Sequence, residues 1–247
     1  MMLKNKTVAM TGGASGIGRA TVLALAAEGA RVLLCDINEA GAADTIKMAK
    51  GGPVEFVKVD LSNLASAEAC GKEVLKRTGN KVDILVNGAG WDIGTPFKDQ
   101  TNEFMDKVLA INLAGPVRLT HVIFKSMAEN GSGKIISVAS DAGRVGSSGE
   151  VVYSAAKAGI IGLTKALARE GARYKITVNC VCPGPTNTPL FDANPEKLKA
   201  ALLGAIPFRR LAEPEDIAGA ILYFAGPTSD YVTGQILSVS GGLTMAG

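Results

Sequence analysis

Histidine, aromatic side chains and unbalanced charge are all scarce in this chain of 247 residues. The single histidine, His121, stands in a helical stretch. The four cysteines, Cys35, Cys70, Cys180 and Cys182, make no C-x-x-C pair. A zinc site would need more of either ligand, so no metal is expected. The cysteines read as reduced, mostly buried thiols of a cytoplasmic protein. Cys180-x-Cys182 is expected to send its thiols to opposite faces of a strand. Lys and Arg number 26 against 23 Asp and Glu, with no basic tract, so no nucleic-acid partner is expected. Apolar runs such as 217–225 are too short and interrupted to span a bilayer. The amino terminus enters a strand-like run directly, without the pattern of a signal peptide. Linkers, composition shifts, repeats and low-complexity segments are missing as well. One domain over 1–247, long enough to bury a full core, is therefore expected.

What is present is strict alternation. Short apolar runs at 7–11, 31–36, 54–60, 82–86, 134–140, 177–182 and 235–239 read as strands. Helical spacing fills 19–28, 64–78, 102–128, 150–173, 195–204 and 214–225. Alternating strand and helix predicts an α/β doubly wound Rossmann fold, with a seven-stranded parallel sheet covered by helices on both faces. The least regular stretch, 183–214, is rich in proline and is expected to form a lid over a site.

The first strand-to-helix turn reads Thr11-Gly12-Gly13-Ala14-Ser15-Gly16-Ile17-Gly18. Glycines there let the backbone turn tightly and approach a ligand, and the amides opening the helix face a pyrophosphate. Asp36 closes the second strand. An acid at that place accepts hydrogen bonds from both ribose hydroxyls of an adenosine and repels a 2′-phosphate. No Arg or Lys stands at 12–18 or 37–38, although Arg19 is close. This pattern favours NAD over NADP. Asp60-Leu61 ends the third strand, where Asp60 either caps the strand end or lies near the adenine.

Tyr153-Ser-Ala-Ala-Lys157 places a phenol and an ammonium one helical turn apart on one face. A free tyrosine has a pKa of about 10, and a nearby cation lowers it. The pair is expected to make a general acid/base that works near neutrality.

Taken in order, Thr11-Gly-x-x-x-Gly-Ile-Gly18, Asn87-Gly-Ala-Gly90, Ser140 and Tyr153-x-x-x-Lys157 resemble the classical short-chain dehydrogenases/reductases over essentially the whole chain. The resemblance implies a catalytic tetrad of Asn112, Ser140, Tyr153 and Lys157. Ser140 would hold the reacting oxygen toward Tyr153, which exchanges its proton. Lys157 would lower the tyrosine pKa and hold the nicotinamide ribose. Asn112 would hold a water that relays protons to Lys157. Asn87, Ala89 and Gly90 would line the adenosine ribose. Pro183, Gly184, Thr186 and Thr188 would meet the nicotinamide amide and the phosphates. Gly12, Ser15, Gly16, Ile17, Gly18, Asp36, Ile37, Asp60 and Leu61 complete the expected cofactor contacts. One departure stands out: the family usually has Asn-Asn-Ala-Gly, and Gly88 replaces the second Asn.

The loops at Trp91-Asp92-Ile93, 139–150, 182–186, 194–198 and 238–245 further resemble those of cyclic-alcohol dehydrogenases. The reading is an NAD-dependent oxidoreductase that interconverts a secondary alcohol and a ketone. Its substrate would be cyclic or bulky and apolar, such as a 2-hydroxycyclohexanecarboxyl-CoA-like ester. Trp91, Ser140, Val145, Tyr153, Pro185 and Phe191 are the expected substrate contacts, with Trp91 either facing a ring or packing under the lid. Arg144 is expected either to meet an acid or CoA phosphate at the mouth or to be an ordinary exposed arginine. Two alternatives stay open: an NADPH-dependent 3-oxoacyl thioester reductase, and a catalytically silent NAD-binding protein. The resemblance also implies a homotetramer, with 102–128 and 150–173 pairing with their copies and 214–225, 235–239 and the tail 241–247 at a second contact.

Overall fold

The computed structural model describes residues 1–192 and 196–245, without the side chain of Lys197. Asn194 and Pro195 of the 194–198 loop, and Ala246 and Gly247 of the tail, lie outside the described residues. In chain order the elements are β1 (Thr7–Thr11), α1 (Gly16–Ala27), β2 (Arg31–Asp36), α2 (Glu39–Met48), β3 (Val54–Lys58), α3 (Leu64–Arg77) and β4 (Ile84–Asn87). Then come α4 (Asn102–Leu109), α5 (Gly115–Asn130), β5 (Gly133–Val138), α6 (Ala142–Val145), α7 (Val151–Gly171) and β6 (Ile176–Pro183). The chain continues with α8 (Pro189–Asp192), α9 (Glu196–Ala205), α10 (Pro214–Ala225) and β7 (Ile236–Val239). All seven strands pair in parallel, in the order β3-β2-β1-β4-β5-β6-β7. The order reverses between β1 and β4, so a crevice opens there at the carboxyl edge of the sheet.

The two layers of helices explain the apolar strands. Val8, Met10, Val32 and Leu34 point to one face, under α1 and α10. Ala9, Leu33 and Leu85 point to the other, under α3 and α5. A strand buried on both faces must be apolar at nearly every position. Farther along the sheet, Cys180 and Cys182 pack together with Ile160 of α7. They share one face, contrary to expectation, because side chains two apart on a strand point the same way.

The sequence pattern did not reveal α2. Only Ala42 and Thr45 of this helix are buried, so it carries almost no periodicity. Asn38 caps it by accepting from the Gly41 amide at 3.0 Å. The expected helix 102–128 is interrupted by a π-helical stretch, Ala110–Ala114, between α4 and α5. Pro116 has no N–H to donate four residues back, so the regular ladder fails at Asn112 and widens there.

Two helical stretches, Asn102–Asn130 and Val151–Tyr174, have the length and apolarity to cross a bilayer. One side of each instead lies on the sheet, through Leu119, Ile123 and Met127 and through Ile160 and Ala168. Only 39% and 28% of their most apolar windows are buried, so broad outer faces remain uncovered.

One charge is buried in this framework. Lys157, 3% exposed, donates from Nζ to the Val138 carbonyl at 2.9 Å, at the end of β5. Burial holds its pKa down to about 8, against a smaller opposing effect of Cys180 and Cys182. A lysine whose folded pKa is depressed destabilises the fold while protonated. The penalty is complete below about pH 8 and fades as pH rises toward the unfolded value. Its full size is on the order of 3 kcal/mol. Lys157→Met is therefore expected to raise the melting temperature of the cofactor-free protein at neutral pH. The gap between variant and parent should close as thermal scans move to more alkaline pH.

Candidate active site

A cavity of about 970 Å³ runs along the carboxyl edge of the sheet. That is large for a single small-molecule pocket and leaves room for a dinucleotide beside a substrate. All residues expected from the sequence line it except Asn87 and Asn112.

The nucleotide half is built on the glycine turn. Gly12 has φ +79°, and a Cβ there would stand 2.7 Å from the backbone of Ala89. Any side chain at this position would separate β1 from the β4 loop. Ser15, the N-cap of α1, makes no side-chain cap bond, so the first amides of the helix stay open to the cavity. Asp36 is held by two backbone donors, Ala14 N–H at 3.0 Å and Asn38 N–H at 2.9 Å. The nearby Arg19 is committed elsewhere. It donates to the Ala14 carbonyl at 2.7 Å and to Thr45 Oγ1 at 3.1 Å. Asp60 lines the cavity and also accepts from the Ser62 amide and hydroxyl. These donors, open amides and fixed carboxylate suit the pyrophosphate and ribose of a nicotinamide dinucleotide.

The β4 loop is held by Thr11, whose Oγ1 accepts from the Gly88 and Ala89 amides at 3.1 and 3.3 Å. A Cβ at Gly88 would collide with Met10 Cε and approach the Thr11 carbonyl to 2.8 Å. Met10 thus fills the space of the family's usual asparagine. Asn87 does not line the cavity. Its side chain is buried and donates to Thr120 Oγ1 on α5 at 2.9 Å.

Asn112 is also turned away from the cavity. It sits in the π-helical stretch, where its Oδ1 accepts from Trp91 N–H and its Nδ2 donates to the Trp91 and Val108 carbonyls. Both Nδ2 hydrogens are spent on chain carbonyls, so in this structure the amide clamps the β4 loop and leaves no side-chain donor for a relay water.

Ser140 follows β5, and its Oγ accepts from the Ala142 amide at 3.1 Å. Tyr153 lies in the first turn of α7, hydrogen-bonded to Ser140, with Lys157 Nζ 5.5 Å from its ring centre. The expected lowering of the phenol pKa by Lys157 is opposed here by burial and by nearby acids. Burial first, and then the charge of Glu150, push the phenol well above its ordinary value. Asp92 and Cys182 add to the rise, and the Ser140 hydrogen bond offsets part of it. Tyr153 is thereby held protonated.

The substrate half is walled by Trp91, Val145, Pro185 and Phe191, and by residues the sequence pattern did not single out: Lys107, Glu150, Leu198 and Leu202. Trp91 packs on Phe104 with ring centres 5.5 Å apart, and Lys107 Nζ stands 4.0 Å over its ring. Arg144 is not at the mouth. Its side chain is 11% exposed, lies 4.0 Å from Asp141 and does not line the cavity. Glu150 was hidden from sequence reasoning because an N-cap position ordinarily explains an acid. Leu198 and Leu202 were hidden because a short amphipathic helix reads as packing.

Comparison with known proteins agrees with this geometry. The family model described as Enoyl-(Acyl carrier protein) reductase matches residues 12–244. A (2S)-[(R)-hydroxy(phenyl)methyl]succinyl-CoA dehydrogenase of Thauera aromatica is 38% identical, covering 99% of each chain. A 3-oxoacyl-[acyl-carrier-protein] reductase of Thermotoga maritima is 36% identical over 99% of this chain and 100% of its own. An acetoacetyl-CoA reductase of Acinetobacter is 38% identical over the same shares. The crystal structure of levodione reductase superposes with a TM-score of 0.90 at 33% identity, covering 97% of this chain and 98% of that one. The chain is a member of the classical short-chain dehydrogenase/reductase family, oxidoreductases that use a nicotinamide cofactor.

Proposed function

We propose that this chain interconverts a secondary alcohol and a ketone with NAD, on a cyclic or bulky apolar substrate carried as an acyl-CoA ester. The observation that supports this most is the Tyr153–Ser140 pair, with Lys157 beneath it, opening into the same cavity as the glycine turn and Asp36. The relatives' names add acyl thioesters as the substrate class.

In the ketone-to-alcohol direction Ser140 hydrogen-bonds the carbonyl oxygen and holds it against the phenol. Tyr153 then donates its proton to that oxygen. In reverse the phenol must first lose its proton, and the nearby Lys157 ammonium favours that loss. The bound nicotinamide supplies or accepts the hydride. Gly12, Ser15, Gly16, Ile17 and Gly18 would hold its pyrophosphate, and Asp36 and Ile37 its adenosine end. Thr186 and Thr188 would hold the nicotinamide end. The described parts of 183–214 would act as the lid, with Phe191, Leu198 and Leu202 lining the cavity.

The 3-oxoacyl thioester reductase reading draws support from the Thermotoga and Acinetobacter relatives, and it differs chiefly in the cofactor. Asp36 argues against its NADPH half. Among the described residues, the lysines and arginines along the cavity are Lys107 and Lys157, and neither belongs to the glycine turn or follows β2. A silent NAD-binding protein would have no need of a phenol and hydroxyl aimed into a substrate space. Four free, buried cysteines suit a reducing compartment, which supports a cytoplasmic location.

The uncovered apolar faces of α4–α5 and α7 support assembly into a homotetramer through paired copies. Exposed Tyr223 of α10 and Leu237 of β7 would lie at the second contact. Light scattering at micromolar concentration is expected to give the mass of four chains, and a monomer would count against the assembly.

Tyr153→Phe should lower kcat by about 10²–10⁴-fold while NAD binding is retained, since only the titrating hydroxyl is lost. Near-parental turnover would remove Tyr153 from the proton transfer. With the parent enzyme, kcat/KM should favour NAD over NADP by roughly tenfold or more, as one like-charge contact of about 1.4 kcal/mol already gives that ratio. Equal efficiency would overturn the cofactor assignment and favour the NADPH reading.

A further inference from the structure

The substrate half of the cavity contains two carboxyl groups that the proton transfer above does not use. Asp92 follows Trp91 in the β4 loop and is 9% exposed. Its Oδ2 is buried without any hydrogen-bond partner. Glu150 is the N-cap of α7. The two segments are joined where the Thr95 amide donates to the Gly149 carbonyl at 2.9 Å. Both acids line the cavity. Burial, and then the charge of Glu150, raise the Asp92 carboxyl to about 6, and both acids act on the Tyr153 phenol. Among the described residues, no ion pair involves either acid. The two lysines that line the cavity are otherwise placed, Lys107 over the Trp91 ring and Lys157 on the Val138 carbonyl.

A buried carboxylate oxygen without a donor is destabilising by about 1–3 kcal/mol or more. A ligand that brings a hydrogen-bond donor removes that cost. A ligand that brings another anion adds to it, in a space already shielded from water. We propose that Asp92 and Glu150 select the substrate by charge: they turn away a compound with a free carboxylate beside the reacting carbon and take one whose neighbouring group is uncharged and donates to Asp92. A thioester meets the first condition because its carboxyl is masked. The amide N–H groups of a pantetheine arm are donors of the second kind. The selection rests on reading this cavity as the site of alcohol oxidation. It is repulsive at its core, as specificity often is.

Trp91 is the one tryptophan in the chain and lies in this half of the cavity, so its fluorescence reports binding without turnover. NAD-saturated protein is titrated at neutral pH with cyclohexanecarboxamide and, separately, with cyclohexanecarboxylate. The amide should bind at least about tenfold more tightly. Asp92→Asn and Glu150→Gln should each narrow that gap, chiefly by strengthening the carboxylate. Equal affinities in the parent protein, a gap that both variants leave unchanged, or no response to the amide would each overturn the proposal. If the gap holds but cyclohexanol is not oxidised, the reaction assigned to the cavity fails and the charge selection stands.

Discussion

Seven strands running the same way place all of their carboxyl ends on one edge of the sheet. Everything chemical in this chain follows from that constraint. The glycine turn after β1, Asp36 at the end of β2, the β4 loop, Ser140 after β5 and the Pro183–Thr188 turn after β6 are far apart in sequence. They meet because each is what comes next when a strand stops. The crevice between β1 and β4 then supplies depth, since the chain leaves these neighbours in opposite directions. Close approach at Gly12 keeps the two halves of the edge from separating.

The site works against the stability of the framework that carries it. Lys157 is an ammonium removed from water with one carbonyl to receive it. Asp92 keeps an oxygen with no donor. Tyr153 is half-buried beside two acids that resist its ionisation. Each group costs the empty fold something, and each faces the cavity. Strained or poorly satisfied groups gathered at one place mark the part of a protein shaped for a ligand rather than for folding. A phenol held neutral can give its proton to a ketone oxygen, and Lys157 Nζ lies 5.5 Å from its ring centre.

Much of this was legible in the sequence for a physical reason. Buried parallel strands must be apolar throughout, a dinucleotide turn needs glycine, and residues four apart share a helical face. The parallel sheet covered on both faces, the glycine turn and the Tyr153–Lys157 pair all follow from such rules. What stayed hidden depends on contacts between distant segments. The helix α2 buries too little to show a period. The widening at Asn112 needs Pro116 to be read as a lost donor four residues downstream. Asn87 and Asn112 read as ligands by their place in a motif, yet Thr120 and the Trp91 backbone hold their side chains. Glu150 looks like an ordinary helix start until the β4 loop is seen beside it. Gly88 reads as a lost asparagine until Met10 is found in its space.

Transfer of a hydride between a ring alcohol and the nicotinamide, with Tyr153 exchanging the proton, is the centre of this account. Cyclohexanol carrying deuterium on its carbinol carbon is incubated with the protein and NAD, and the products are followed by mass spectrometry. The account predicts one deuterium on the reduced cofactor for each ketone formed, and almost none with Tyr153→Phe. Ketone formed with the deuterium released to water, or label transfer undiminished in Tyr153→Phe, would contradict it.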